Sequence, residues 1–172
     1  MISHITAPEY QADLSKLLEE WQPSSILAIG PGNDALFSAY LHAHPACTFE
    51  QLIGNGLIAQ LEMKGIYDFI FISETVELLP KTAAEALLSS VRDLHAKRFA
   101  LVVPIGPAWE HLTHHWEHTD LLAMGMTCLG SYTRADKPIC LYAFDIETYK
   151  TTPDWLNSKY WAHPELFDKY RW

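Results

Sequence analysis

The sequence predicts one α/β domain, in which helices cover both faces of a mainly parallel sheet. Three observations support this fold class. Predicted strands and helices alternate along most of the chain, as they do when helices connect parallel strands. The segment Tyr67 to Ile72 is almost continuously apolar, as expected of a strand buried on both faces. The last two predicted strands, joined by a short polar link, form an antiparallel hairpin.

Composition and charge narrow the class of protein. The 172 residues are 49% hydrophobic, which suits one globular domain with a substantial core. We expect neither a membrane span, which needs about 20 apolar residues in a row, nor a secretory signal at the start of the chain. Three cysteines without an export signal predict reduced thiols in a cytoplasmic protein. The net charge of −9 argues against general binding to nucleic acid phosphates.

The amino-terminal segment predicts a helix followed by the first strand. Thr6 and Glu9 have capping-box spacing, so the helix is expected to begin at Thr6. Its apolar residues recur at helical spacing and form one face, made of Leu14, Leu17, Leu18 and Trp21. An apolar strand then occupies residues 26–29.

Two helices and a strand are predicted next. A helix covers about residues 33–41, and a cap by Asn33 or Asp34 is expected to contribute about 1 kcal/mol. The second strand covers residues 47–52. A turn with two glycines then precedes a short helix over 57–64.

Beyond the buried central strand, the pattern predicts helix, strand and helix. Thr82 and Glu85 form a second capping box, which opens a helix that ends near Lys97. A strand over 99–103 follows, and another helix covers about 108–124.

The chain closes with the hairpin and an aromatic tail. Extended segments over 126–133 and 139–146 form the hairpin. We therefore predict an α/β domain over residues 1–148 and a tail over 149–172. Because disordered tails are poor in aromatic residues and this one is rich in them, we expect it to pack on the domain or to form a homodimer contact.

The stretch Ser25 to Asp34 carries the main functional signal. An apolar strand ends in Gly30-Pro31-Gly32, and polar residues then open a helix. In open α/β sheets a ligand of nucleotide type commonly lies where the first strand turns into its helix. Glycines let a ligand approach the backbone, and the helix start offers free N–H groups to it. The stretch therefore predicts a ligand site.

With these elements the chain resembles the class I S-adenosylmethionine-dependent methyltransferases, a Rossmann-like superfamily. The resemblance covers about residues 24–146. The segment 26–32 is similar to the glycine-rich first loop of that family. The segment 67–80 resembles its fourth strand with the acidic residues beyond it, and the hairpin matches its reversed last strand. The resemblance implies a three-layer fold of the methyltransferase type.

The resemblance also implies a cofactor, S-adenosylmethionine, and residues that would bind it. The glycine-rich loop would face the methionine part, and a carboxylate near the end of the second strand would accept hydrogen bonds from the ribose. Two residues after the central strand would lie beside the transferable methyl group. The candidate cofactor-binding residues are Gly30, Pro31, Gly32, Asn33, Glu50, Ser73 and Glu74. The implied activity is methyl transfer, without a metal, to an unidentified small-molecule or protein acceptor.

The chain departs from the family pattern at three places. Ala28 replaces the acid that usually precedes the first glycine by two residues, and Leu78 stands where many relatives carry a histidine. Only residues 51–66 lie between the ribose acid and the central strand, too few for a full helix, a third strand and their loops. We therefore expect a shortened sheet without the third strand. The adenine subsite is then absent or rebuilt, with Asn55 as a substitute.

These departures leave two other functions open. A catalytically inactive domain of the same fold would bind a protein partner or sense a ligand. Alternatively, Gly30 to Ala35 fits the G-x-G-x-x-A dinucleotide fingerprint, with Glu50 as the ribose acid, so the chain would bind NAD(P). Its length argues against a dehydrogenase, which normally adds a second domain for its substrate.

Four of the nine histidines lie in the helix predicted over 108–124. On that helix His111, His115 and His118 would share one face, with a spacing suited to Zn²⁺ or Ni²⁺. The motif order of metalloproteases is absent, and a solvated helix face is the alternative interpretation. Because this helix would begin near the substrate end of the sheet, Trp109 and His111 are also candidates for substrate contact.

Overall fold

The structure, a computed structural model, describes residues 8–149 and contains one six-stranded sheet with helices on both faces. The strands are β1 (Ser25–Ile29), β2 (Thr48–Leu52), β3 (Tyr67–Ile72), β4 (Ala96–Pro104), β5 (Thr127–Arg134) and β6 (Lys137–Asp145). The helices are α1 (Gln11–Trp21), α2 (Asp34–Ala43), α3 (Leu57–Glu62), α4 (Lys81–Ser90), α5 (His118–Ala123) and α6 (Ile146–Tyr149), with a π-helical turn at Val91–His95. None of these helices is long and apolar enough to cross a membrane.

The sheet is mixed, with the strand order β2-β1-β3-β4-β6-β5. The strands β1 to β4 run parallel, while β6 is antiparallel to both β4 and β5. Ala135 and Asp136, both at positive φ, make the tight turn between β5 and β6. The predicted α/β fold and its closing hairpin are therefore confirmed. Between β2 and β3 the chain forms only α3, so the sheet lacks a third strand there, as predicted.

Two hydrophobic cores, one on each face of the sheet, hold the layers together. The alternating side chains of β1 and β3 enter both cores, which explains why these strands are apolar almost throughout. One core joins the sheet to α1 and α2 through Leu14, Leu17, Leu18 and Phe37. The other joins it to α3 and α4 through Leu57, Leu61, Leu87 and Leu88.

Two predicted helix starts are wrong. The helix α1 begins at Gln11, and residues 8–10 before it are not helical. Of the expected capping box, Glu9 lies in a turn and Thr6 lies outside the described residues. The helix α4 begins at Lys81, because the extended Pro80 (φ −54°, ψ 139°) already opens it. Thr82 is then inside the first turn, where it cannot act as a cap. The tail predicted over 149–172 lies almost wholly outside the described residues, so its packing stays a prediction.

The helix predicted over 108–124 is mostly absent. Turns and bends occupy much of the segment, and α5 begins only at His118. The reason is tertiary packing. Trp116 is fully buried, its carbonyl accepts a hydrogen bond from the Gly106 amide at 2.9 Å, and its backbone forms a bridge to Ile105. Histidine, tryptophan and threonine have modest helix propensity, so this packing decides the local structure.

Asp68 connects three parts of the sheet. Its carboxylate accepts hydrogen bonds from the Ser24 amide and hydroxyl, at 3.1 and 2.5 Å, and from Lys97 Nζ at 2.6 Å. Lys97 and then Ser24 lower the pKa of the Asp68 carboxyl to about 2. A carboxyl with a lowered pKa stabilises the fold above its unfolded pKa, here near 3.8, and the contribution is lost as the pH falls to about 2.

We expect Asp68→Asn to lower the free energy of unfolding by about 1–2 kcal/mol at neutral pH. The effect is limited because the side chain is 25% exposed and the ion pair is partly screened. Urea denaturation of both proteins at several pH values measures it. The difference should shrink as the pH falls from about 4 to about 2. A difference that is independent of pH would show that the ionised carboxylate is not the cause.

Candidate functional site

The bend after β1 is held against the end of β3. Gly30 lies at φ +118°, and a Cβ atom there would be 1.9 Å from the Ser73 carbonyl oxygen and 2.9 Å from Thr75 Oγ1. A backbone bond supports this contact, because the Ser73 amide donates to the Ile29 carbonyl at 3.1 Å. On the other side the Gly30 amide donates to the Leu52 carbonyl, at the end of β2, at 3.0 Å. Only glycine fits at position 30.

Gly32 has a different reason to be glycine. It adopts φ +68°, and nothing lies within 4 Å of a Cβ atom built there. The backbone of the bend is therefore bare on this side, just before α2 begins at Asp34. The sequence prediction of an open glycine bend at this position is met by the geometry.

Asn33 locks the bend instead of capping α2. Its side chain is almost fully buried and makes no cap hydrogen bond. The amide group donates to the carbonyl of Gly30 at 3.0 Å, and Oδ1 accepts from Ser73 Oγ at 2.8 Å. The predicted cap is therefore wrong. Asn33 connects the bend to the end of β3, and these contacts occupy its polar atoms.

The turn after β3 directs Glu74 toward solvent. Thr75 Oγ1 donates to the Ser73 carbonyl at 2.8 Å, and the Thr75 amide donates to Glu77 at 3.1 Å. Burial raises the pKa of the Glu77 carboxyl. Glu74 itself takes a positive φ of 47°, and its side chain is 57% exposed. The turn thus presents one carboxylate beside the bare backbone at Gly32.

Two cavities flank this bend, and Pro31 and Glu74 line both. The first has a volume of about 470 Å³ and lies beside the starts of α1 and α2. The second has a volume of about 270 Å³ and lies between the loop after β2 and the turn after β3. The bend therefore has open space on both sides at the carboxyl edge of the sheet, at the end of β1.

The first cavity is lined by one cation, Arg134, and one acid, Glu74. Arg134, at the end of β5, approaches Glu9 at 3.2 Å and Glu74 at 3.9 Å. Its guanidinium lies 5.9 Å from the centre of the Tyr10 ring. Burial raises the pKa of the Tyr10 phenol, so this ring stays neutral. The sequence pattern does not identify Tyr10 and Arg134 as site residues, because only the folded hairpin and the start of α1 bring them to the bend.

The second cavity is mainly apolar. Its rim includes two large apolar side chains that remain in solvent, Ile53 at 54% and Leu78 at 71% exposure. Asn55 and Thr75 contribute polar groups, and Glu74 is the only acid that lines it among the described residues. The predicted substitute Asn55 is thus at the cavity. Its role in binding stays a prediction.

Glu50 is not at either cavity, and its expected position needs correction. Its carboxylate accepts a hydrogen bond from Lys64 Nζ and one from the Tyr67 hydroxyl at 3.0 Å. Lys64 and then Tyr67 lower the pKa of the Glu50 carboxyl. Burial, together with the smaller effect of the hydrogen bond to Glu50, raises the pKa of the Tyr67 hydroxyl to about 12. Glu50 therefore connects β2 to β3 and to the residues after α3.

The other predicted residues fall into two groups. Ser73 and Glu74 line the first cavity with Gly32 and Asn33, as a shared site requires. Trp109 and His111 line neither cavity. The Trp109 indole N–H donates to the Pro138 carbonyl at 2.8 Å. The rings of Trp109 and His111 pack edge to face, with their centres 5.9 Å apart. Their contact with a substrate stays a prediction.

The histidines His111, His115 and His118, considered above as candidate metal ligands, do not lie together on one helix face. The helix that would have aligned them is absent before position 118. His115 Nε2 is bonded to the Trp109 carbonyl at 3.2 Å, while His118 contacts the Tyr142 hydroxyl. Among residues 8–149, no metal-compatible group of side chains contains His111 or His115.

Comparison with known protein families and curated proteins gives one match. A family model described as "Family of unknown function (DUF6231)" matches residues 8–172. None of the curated proteins matches the chain.

Solved structures, two methyltransferases among them, share the fold. Magnesium protoporphyrin IX methyltransferase (ChlM) from Synechocystis PCC 6803, with SAH bound, aligns at a TM-score of 0.57 and 11% identity over 78% of this chain and 81% of that chain. The methyltransferase domain of bacterial CtHen1 aligns at a TM-score of 0.54 and 10% identity over 79% of this chain and 97% of that chain. The N-terminal domain of EvdMO1 with SAH bound aligns at a TM-score of 0.54 and 12% identity over 83% of each chain. This likeness shows a class I methyltransferase-like fold, as the sequence resemblance implied.

Proposed function

The chain belongs to the DUF6231 family of unknown function, and we propose that it binds S-adenosylmethionine across the Gly30–Gly32 bend and transfers its methyl group to an acceptor. The observation that supports this most is the pair of cavities that meet at Pro31 and Glu74. β1 has β2 on one side and β3 on the other, so the chain crosses over in opposite directions from it. Ligands of open α/β sheets bind at such switch points.

The charges of the first cavity suit the amino acid end of this ligand. Arg134 would bind the carboxylate, and Glu74 would bind the ammonium group. The two side chains lie 3.9 Å apart, so a ligand carrying both charges could contact both side chains. Glu74 also lines the second cavity, so a positive sulfonium between the cavities would lie near a carboxylate.

The second cavity suits the adenosyl end. Its large apolar side chains are leucines and one isoleucine, which favour a flat, largely apolar ring system. Asn55 offers an amide to the ring edge or to a ribose hydroxyl. Since Glu50 is bonded to Lys64 and Tyr67, the proposal assigns no ribose contact to it.

The cofactor would supply an electrophilic methyl group when bound. The contribution of this chain is to hold the reacting groups in line and to exclude water from them. In the first cavity the buried side chains of Asn33 and Ser73 are held by hydrogen bonds, so the ligand would meet a preformed surface there.

A ligand-sensing domain without catalysis is the second candidate. The hydrogen bonds of Glu50 to Lys64 and Tyr67 favour this candidate, because an enzyme of this type would be expected to place an acid at the ribose. Both candidates predict ligand binding, and they differ in turnover. Formation of S-adenosylhomocysteine in the presence of an acceptor supports the enzyme alone.

Calorimetric titration with S-adenosylmethionine, S-adenosylhomocysteine and NADH tests the binding claim. We expect saturable binding of both sulfur compounds at one site per chain, and none of NADH. Because Glu50 lines neither cavity and is bonded to Lys64 and Tyr67, Glu50→Ala should bind as the unsubstituted protein does. Absence of binding by either sulfur compound, in protein shown to be folded by circular dichroism, would contradict the proposal. Binding of NADH alone would favour the dinucleotide alternative.

A further inference from the structure

Two thiols and an imidazole meet on the hairpin side of the sheet. His118 opens α5, Cys128 lies on β5 and Cys140 lies on β6. One ring nitrogen of His118 and the two sulfur atoms all lie within 4.8 Å of one another. This is the one such group of three metal-compatible side chains found among residues 8–149.

The sheet explains why the two cysteines meet. Cys128 pairs with Tyr142 across the hairpin, and Cys140 pairs with Ser131. A bulge between Cys128 and Gly130 shifts the register by one residue, and a bulge redirects the side chains beside it. Both sulfur atoms thereby reach the face of the sheet on which α5 begins.

We propose that His118, Cys128 and Cys140 bind a thiophilic divalent transition ion, with Zn²⁺ as the expected metal. Thiolate sulfur and imidazole nitrogen are the ligands that Zn²⁺ prefers in proteins. No carboxylate belongs to the group, which argues against Mg²⁺ and Ca²⁺. Three protein ligands leave the fourth tetrahedral position to a solvent molecule or another small ligand.

Neighbouring groups support this donor set. His118 Nδ1 is hydrogen-bonded to the Tyr142 hydroxyl, and Ser131 Oγ lies 3.3 Å from Cys140 Sγ. Partners of this kind orient metal ligands. Cys140 is buried, while His118 and Cys128 are exposed, so an ion can enter from solvent.

The proposed metal site is separate from the ligand site at the bend. β6 lies three strands away from β1 in the sheet, which corresponds to about 14 Å at the usual strand spacing. None of the three side chains lines either cavity at the bend. The proposal therefore does not depend on S-adenosylmethionine binding.

Titration of the reduced, chelator-treated protein with Co²⁺ tests the proposal. We expect a thiolate-to-cobalt charge-transfer band and the intense visible bands of tetrahedral cobalt, both displaced by Zn²⁺. The exposed variant Cys128→Ser should lose about half of the charge-transfer intensity, since one of two thiolates is gone. His118→Gln should keep that band but weaken Co²⁺ binding. Zn²⁺ should also raise the melting temperature of the unsubstituted protein.

Two substitutions serve as matched controls. Cys47→Ser removes the third cysteine, which lies just before β2, and His111→Gln removes a histidine of the same segment. Both should leave the cobalt spectrum unchanged. The proposal is overturned if the reduced protein shows no charge-transfer band. It is also overturned if Cys128→Ser and Cys47→Ser give the same spectrum as the unsubstituted protein.

Discussion

Replacing Gly30 with alanine is expected to destabilise the fold by about 3 kcal/mol or more. The new Cβ atom would lie 1.9 Å from the Ser73 carbonyl oxygen, and φ is +118°, a conformation that alanine rarely adopts. The bend and the end of β3 would have to separate, which breaks the contact that fixes the site. For a chain of this size the expected fall in melting temperature is about 6–12 °C. Thermal and urea denaturation measure both quantities.

The matched control is the same change two residues later. Gly32→Ala also places alanine at positive φ, but its Cβ atom would meet nothing within 4 Å. We expect a loss of only about 1–2 kcal/mol from the backbone conformation. Equal losses at the two positions would mean that the close approach of Ser73 does not determine the residue at position 30.

Replacing Gly32 with leucine is expected to weaken S-adenosylhomocysteine binding by about 10- to 100-fold. The leucine side chain would enter the first cavity, where overpacking against a ligand costs about 1–3 kcal/mol. The fold should survive, because the space around this position is open. Calorimetry gives the affinity, and circular dichroism confirms that the protein is folded.

Gly106→Leu is the control for this change. Gly106 has φ +76°, close to the +68° of Gly32, and a Cβ atom there is equally free. It lines neither cavity, so binding should be unaffected while stability falls by a similar amount. A similar loss of affinity in both variants would indicate a general effect of backbone strain. It would contradict a binding site at the bend.

The strands were more predictable than the helices. β3 has the predicted bounds, because its apolar run reflects burial on both faces, a property that the sequence shows directly. The helix boundaries depended on capping boxes, and at α4 the extended Pro80 opens the helix before the predicted cap. The helix predicted before α5 was wrong for another reason, because the burial of Trp116 overrides a helical pattern there.

The candidate site was predictable where it is local in the chain. The bend at Gly30 to Gly32 is encoded by adjacent residues, and Ser73 and Glu74 follow a strand that the pattern identifies. Arg134 reaches the bend only through the register of the hairpin. Glu50 was assigned by its distance along the chain, which does not reveal that Lys64 and Tyr67 bind its carboxylate.

For the histidines too, spacing along the chain did not predict which side chains lie together. Helical spacing suggested His111, His115 and His118, and that helix is absent. The cysteines near His118 are 12 positions apart on a predicted hairpin, so their proximity could have been inferred from its pairing. The bulge at Cys128, which sets the face on which both thiols lie, leaves no clear mark in the sequence.

Mapping amide chemical shifts during titration with S-adenosylhomocysteine shows directly whether this ligand binds at the Gly30–Gly32 bend. The largest shifts should fall on Gly32 and Glu74 and extend to Asn55 in the second cavity. The amide of Glu50 and those of the hairpin near Cys128 should change little. Shifts confined to another face of the domain, or none at ligand concentrations that saturate related folds, would contradict a site at the bend.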